Sequence, residues 1–301
     1  MSLRTALRAR LLVALTGDPA GRAGWITEVG EGDDEGYFGP ESPTWVVHGD
    51  MPTLVAGIRA LLMQTLHPGA MAGVHDWSRY RTDAAGRLTG TIRWIVAVTF
   101  GSRAQADRES ARVHRFHDRV SGTYSDGTGG HGIPYSAHDA DLLDWVHLAF
   151  TDAFLGCQET WGRPVDLDRY VAEWATAGRL VGAQDTPSTR AELRARLEDL
   201  RVRGVLRRDE RVDDAVRFLR RPPIAGTGIA YRILFAGAVA SIPPEFRGLL
   251  GVRRAWWPAI TATRILLAAA GWVLAAPNPP SPSARELAFA RVARLRASVN
   301  E

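Results

Sequence analysis

Arg87-Leu-Thr-Gly-Thr91-Ile-Arg-Trp-Ile-Val-Ala-Val-Thr-Phe100 runs straight into Gly101-Ser102 and then Arg103-Ala-Gln-Ala-Asp-Arg-Glu-Ser-Ala-Arg-Val-His114-Arg-Phe-His117-Asp-Arg-Val120. Neither long stretch alternates with period two, so neither reads as a strand. The first is a strongly apolar helix over Arg87 to Phe100. The second is a helix over Arg103 to Val120 with an arginine and histidine face. Gly101 and Ser102 break the run, and Ser102 supplies a side-chain oxygen to cap the second helix.

The same spacing recurs outward in both directions. Helices are predicted over Leu3 to Leu15 and from Asp50, with Pro52 in its first turn, to Leu66, stopping at His67-Pro68. Asp83 to Gly86 reads as a turn. Further helices follow over Asp139 to Trp161, Asp166 to Val181, Arg190 to Arg203 behind a Thr186-Pro-Ser188 cap, and Val212 to Leu219. Apolar helices surround Ala236 and Leu267, and an amphipathic one follows the prolines of Pro277 to Pro282. Ser121 to Tyr135 is so rich in glycine that it reads as a connector with no regular element. No repeat and no boundary is visible. The expectation is a single all-α domain, a multi-helix globular fold over 1–301.

Composition narrows the chemistry. At 46% hydrophobic over 301 residues the chain can bury a core, and a chain this long buries roughly 75% of its unfolded surface. All 37 basic residues are arginine, which excludes lysine Schiff bases and a phosphate-loop lysine. The pI near 9.7 reflects arginine's high pKa more than a charge excess, since the net charge is only +4. Basic residues are interleaved with 33 acids along the chain, so no nucleic-acid partner is expected. The one cysteine, Cys157, excludes an intrachain disulfide and a paired-cysteine zinc site, and fits a cytoplasmic protein. Ile265 to Ala276 is too short to span a bilayer, which takes roughly 20 residues. It reads as a buried helix or as an interfacial anchor giving peripheral membrane association. No serine elbow, no Gly-x-Gly-x-x-Gly after a strand, no His-Glu-x-x-His and no Glu-x-x-His is read.

Eight histidines remain as candidates, and His114 and His117 share one helix face. His147 sits in an apolar helix. The residues alone leave two readings: a metal site, with His114, His117 and His147 as three imidazole ligands, or satisfied core and capping histidines. Arg87 and Thr91, four apart, present a guanidinium beside a hydroxyl. An arginine fork there suits a carboxylate. Helix capping and a surface ion pair account for the same residues. The stripe Arg108, Arg112, Arg115 and Arg119 reads as a solvated face or as partners for acidic groups.

Several pieces in order resemble a known family. They are Leu66-His67-Pro68 with Gly73-Val74, Gly86-Arg87-Leu88-x-x-Thr91, Phe100-Gly101, and Arg112 to Val120 with Gly122. Tyr135-x-Ala137, Trp145-Val146-His147, Tyr170-x-x-Glu173, and Pro244-x-x-Arg247 with Gly251 follow. Over residues 45–255 the set is similar to the MpaB-type oxygenases, which share a catalytic domain with bacterial latex-clearing proteins. The resemblance implies a helical fold with a buried haem pocket, haem b as cofactor, and dioxygen with a hydrophobic small molecule, an isoprenoid or secondary metabolite, as substrates. It implies His117 as the proximal iron ligand, Arg87 and Thr91 as a polar pair near the haem, and His147 as a residue shaping the pocket. Latex-clearing relatives carry a lysine directly before the threonine, where this chain has Gly90. Iron would then be five-coordinate, or hold water or another side chain. The family's catalytic acid has no aligned counterpart, with Asp76 and Asp83 nearest. Besides a haem oxygenase, two readings stay open: a non-haem three-histidine metalloenzyme, and a non-catalytic haem-carrying or membrane-associated helical protein.

Overall fold

A computed structural model describes residues 3–18, 23–78, 82–125, 130, 132–221, 228–253, 257–275 and 282–299. The fold is all-α apart from one hairpin. Its centre is a pair of antiparallel helices, α4 (Thr53–Gln64) and α8 (Ala140–Trp161), which share more of their length than any other pair. The side chains of Val55, Ala56, Leu62, Met63, Trp145, Ala149 and Cys157 on them are fully buried. Polar bonds fix their register: Trp145 Nε1 donates to the Gln64 carbonyl at 3.1 Å, and Arg59 Nη2 to Asp152 Oδ2 at 2.5 Å. One hydrophobic core runs from Val29 to Val292 through this pair.

Around it are α1 (Leu3–Thr16), α2 (Gly24–Thr27), α3 (Pro43–Gly49), α5 (Pro68–Trp77), α6 (Ala84–Phe100) and α7 (Arg103–His117). The later helices are α9 (Leu167–Leu180), α10 (Arg190–Val202), α11 (Glu210–Arg220), α12 (Gly228–Ser241), α13 (Pro244–Leu249), α14 (Ala259–Leu274) and α15 (Ala284–Val299). The predicted helices are all present, and four short ones, α2, α3, α5 and α13, were not foreseen. α3 and α5 each begin with proline at the first helical position, Pro43 and Pro68. His67-Pro68 does end α4, but a proline that cannot continue one helix is well suited to start the next, because its missing N–H is not needed there.

Three local expectations are corrected. Asp83 is not part of a turn but the N-cap of α6, accepting from the Gly86 N–H at 2.9 Å. α10 is capped by Thr189 and not by the preceding serine, whose hydroxyl donates to Glu192 instead. The glycine-rich connector contains a regular element: β1 (Ser121–Tyr124) pairs antiparallel with β2 (Ile133–Ser136), Gly122 opposite Tyr135. The glycines are concentrated between the strands, where 126–129 and 131 lie outside the described residues, while the ends carry Thr123, Tyr124, Ile133 and Tyr135, which suit a pleated surface. The hairpin also shortens α7. The Val120 carbonyl accepts from the Ala137 N–H at 2.9 Å, so the helix stops at His117.

Among the described residues no single helix is long and apolar enough to cross a membrane. α3 and α4 pass such a test only together, across an 89° bend, and both are packed into the core. The Ile265 to Ala276 segment falls mostly in α14 and is neither wholly buried nor wholly free: Leu267 and Val273 are buried, Ile265 and Trp272 exposed. Residues 276–281, with most of the proline-rich linker, lie outside the described residues.

Candidate functional site

α6 and α7 form an antiparallel hairpin clamped from inside. Glu109, buried on α7, accepts Arg93 Nε at 2.8 Å and Arg112 Nε at 2.8 Å. Burial pushes its carboxyl up, yet the hydrogen bonds from Arg93 and Arg112 outweigh that and hold it below its ordinary value. Trp94 Nε1 reaches Ser110 Oγ at 3.1 Å, and Arg112 Nη2 reaches the Gly90 carbonyl at 3.1 Å. These pairs step in opposite directions along the two helices. They place the start of α6, with Arg87, level with His117 at the end of α7, while Thr91 lies about one turn further along, opposite the turn that carries Arg112.

Arg87 donates to Ser78 Oγ beyond the end of α5. The Thr91 hydroxyl bonds back to the Arg87 carbonyl at 3.2 Å, one turn away. Leu88, Ile92, Ile95 and Val96 on the same helix are only half-buried despite their apolar character. At Gly90 no atom of the described residues comes within 4 Å of a Cβ built there.

His117 is half-buried, and its Nδ1 is fully buried without a hydrogen-bond partner. Burial, followed by the neighbouring His138 and His114, lowers its pKa to about 4. The ring is therefore neutral at pH 7 and keeps a lone pair for a metal. His138 stands edge-on to it at 6.0 Å between ring centroids and is itself held by Asp118 Oδ1 at 2.8 Å. His114 stacks on His138 and contacts the Leu180 carbonyl of α9 at 3.2 Å.

His147 is buried on α8 and faces α9 at Gly178, two residues before Leu180. A Cβ at Gly178 would stand 2.6 Å from its Nδ1, so only glycine allows the two helices to close over the ring. Its Nε2 lies 3.5 Å from Thr151 Oγ1, and burial lowers its pKa to about 4. The last turns of α9 thus hold both His114 and His147. The three histidines do not assemble as joint ligands: among the described residues no group of three or more His, Cys, Asp or Glu is arranged to hold a metal ion. This corrects the three-histidine alternative. His114 is spent on a backbone carbonyl, and His147 is packed between helices.

Other motif residues turn out to be structural. Tyr170 Oη lies 3.3 Å from His48 Nε2, inside the core. Glu173 accepts from Ser42 Oγ at 2.5 Å and Thr44 Oγ1 at 2.8 Å, tying α9 to the start of α3. Tyr135 Oη donates to Asp76 Oδ2 at 3.2 Å, so Asp76 is engaged by the hairpin, and by His75 Nδ1 at 2.9 Å. Asp83 is used as a cap. Neither carboxylate stands free as a base.

His48 has a buried environment that spacing did not single out. Its ring centroid is 4.6 Å from that of Phe154 and 4.1 Å from that of Trp174, and burial lowers its pKa to about 3. Its position in an apolar helix after Trp45, Val46 and Val47 was the available signal.

The dinucleotide exclusion needs one correction. Gly127, Gly129 and Gly132 do have the Gly-x-Gly-x-x-Gly spacing, and they follow β1. They lead into β2 and not into a helix, so the helix N-terminus that would receive a pyrophosphate is missing from this context.

The fold is mostly helical, with a half-buried imidazole of lowered pKa, His117, at the end of α7. The family model described as ER-bound oxygenase mpaB/B'/Rubber oxygenase, catalytic domain, matches residues 45–276, and the chain belongs to that family. No curated protein and no solved structure matches the chain.

Proposed function

We propose that this chain is a haem b-dependent oxygenase acting on a hydrophobic small molecule, an isoprenoid or a secondary metabolite, with His117 as proximal ligand. The observation that carries this reading is the buried, unpartnered Nδ1 of a neutral His117, with Arg87 level with it across the hairpin and Thr91 about one turn further along α6. The residues fit the group. An imidazole suits iron, Arg87 provides a permanent cation for a propionate carboxylate, and the half-buried apolar residues of α6 offer surface for a porphyrin face. Haem, when bound, supplies an iron centre at which dioxygen is activated.

The protein's own residues account for the rest. His138, fixed by Asp118, packs against His117 and limits its rotation. The Thr91 hydroxyl can turn from the Arg87 carbonyl to donate to a polar atom in the pocket. Glycine at position 90 leaves space where the latex-clearing relatives carry a lysine. Among the described residues nothing stands within 4 Å of a Cβ built there, so access for small molecules is wider. His147, held by Gly178, shapes the adjoining wall and does not reach in as a ligand.

The test is the absorption spectrum of protein expressed with a haem precursor, oxidised and then reduced, with and without carbon monoxide. A Soret band that shifts on reduction and responds to carbon monoxide is expected, with the band lost or displaced in His117→Ala. A colourless protein, or a His117→Ala variant with full haem content and an unchanged spectrum, overturns the assignment.

A further inference from the structure

Away from α6 and α7, an open cleft of about 440 Å³ lies between α11, α12 and the turn after α13. Its floor is apolar: Phe235, Val239 and Val252 are buried side chains with edges in the cleft. Its rim carries Arg220, Arg232 and Arg253, all exposed. Among the described residues no carboxylate lines it. Among the described residues none of these three arginines has an ion-pair partner, whereas Arg208 and Arg217 on either side are paired with Asp213 and Asp214. Arg220 lies with its guanidinium carbon 5.9 Å from the centre of the Phe235 ring, extended along the apolar floor.

The backbone is shaped to deliver the third arginine. Gly251 takes the left-handed conformation at φ +61°, closing α13 through its N–H to the Gly248 carbonyl and the Val252 N–H to the Arg247 carbonyl. That reversal turns Val252 into the floor and carries Arg253 to the rim. Three like charges gathered without a counter-charge repel one another, and an anion set among them relieves that repulsion. Guanidinium forks match carboxylate and phosphate oxygens, while the floor suits an alkyl or aromatic body. The volume lies in the range of small-molecule sites, roughly 300–1,000 Å³.

We propose that this cleft binds an anionic amphiphile, a molecule with one carboxylate or phosphate head and an apolar tail, at a site sharing no residue with the candidate oxygenase site. The head sits among Arg220, Arg232 and Arg253, and the tail lies over Phe235, Val239 and Val252. Such a site holds an acidic hydrophobic compound or the headgroup end of an anionic lipid.

The test is titration calorimetry of the full chain with decanoate, with decanol as the uncharged control. Saturable decanoate binding is expected, with none for decanol. Arg232→Gln/Arg253→Gln should weaken decanoate by about tenfold or more while far-UV circular dichroism is unchanged, since both side chains are exposed. Inorganic phosphate added to the unaltered protein should compete, which tests head recognition without any substitution. Co-sedimentation with phosphatidylglycerol and phosphatidylcholine vesicles separates the sources: decanoate binding alone marks a free acid, and retention on phosphatidylglycerol vesicles alone marks a lipid headgroup. Failure to bind both decanoate and phosphatidylglycerol overturns the proposal. So does decanoate binding that ignores phosphate and the double substitution. The outcome is independent of haem content, so it stands or falls separately from the assignment of His117.

Discussion

At the scale of single residues, the site depends on imidazoles kept neutral by burial. His48, His117 and His147 have pKa values lowered from 6.5 to about 3, 4 and 4. The unfolded chain therefore takes up protons on these rings near pH 6.5, where the folded chain does not. Their contribution is constant above that pH and turns against folding as pH falls from 6.5 towards 4, by up to about 1.4 kcal/mol per pH unit for each ring. The urea midpoint should fall between pH 7 and pH 5, a window above the ordinary carboxylate range. A midpoint that does not move there would show that the three rings are not desolvated. Gly178 offers a second check. Gly178→Ala drives a Cβ against His147 Nδ1 and should cost about 1–3 kcal/mol in denaturant unfolding. A variant as stable as the parent would mean that α8 and α9 separate easily. Neither environment was legible in the sequence, because Gly178 meets His147, and His48 meets Trp174, only when distant helices are packed together. The reading of His117 rested on its motif, and its buried Nδ1 became visible only in three dimensions.

At the scale of elements, local chemistry was well written in the chain and boundaries were set by competitors. Helix periodicity located α6, α7, α8 and α9 to within a few residues. The residues between Ser121 and Tyr135 misled because glycine content was read as one stretch, whereas strand-forming residues at its two ends pair with each other. Val120 was lost to α7 for the same reason, its carbonyl being taken by the hairpin. The α6–α7 hairpin hangs on Glu109. Glu109→Gln removes the charge that Arg93 and Arg112 both meet, and should cost about 2 kcal/mol, discounted because both arginines are partly exposed. Amide exchange should speed up selectively in α6 and the start of α7. Uniform acceleration throughout the protein would mean that the hairpin has no stability of its own to lose.

At the scale of the whole molecule, buried arginines join what the core brings together. Arg59 reaches Asp152 on α8 and, through Nη1, the Ser241 carbonyl of α12 at 2.7 Å. Arg59→Ala would leave Asp152 largely buried without its partner, at a cost of about 3–5 kcal/mol. Arg59→Ala/Asp152→Ala should recover part of that loss in thermal unfolding. If the double substitution were no better than the single one, packing around Arg59 would matter more than charge. An all-arginine basic complement was plain from composition, but which arginines serve the interior was not, since burial of a guanidinium leaves no local signature.

Arg291 is a second arginine deep in the interior, fully buried on α15, with Nη2 donating to the Phe100 carbonyl at 2.8 Å across 191 residues of chain. It also caps the Val29 carbonyl. During synthesis the end of α6 is made long before the side chain that completes it. Until then, the Phe100 carbonyl at the turn between α6 and α7 and the Val29 carbonyl packed near it must be kept wet. This corner of the protein therefore sets itself only after translation has passed Arg291.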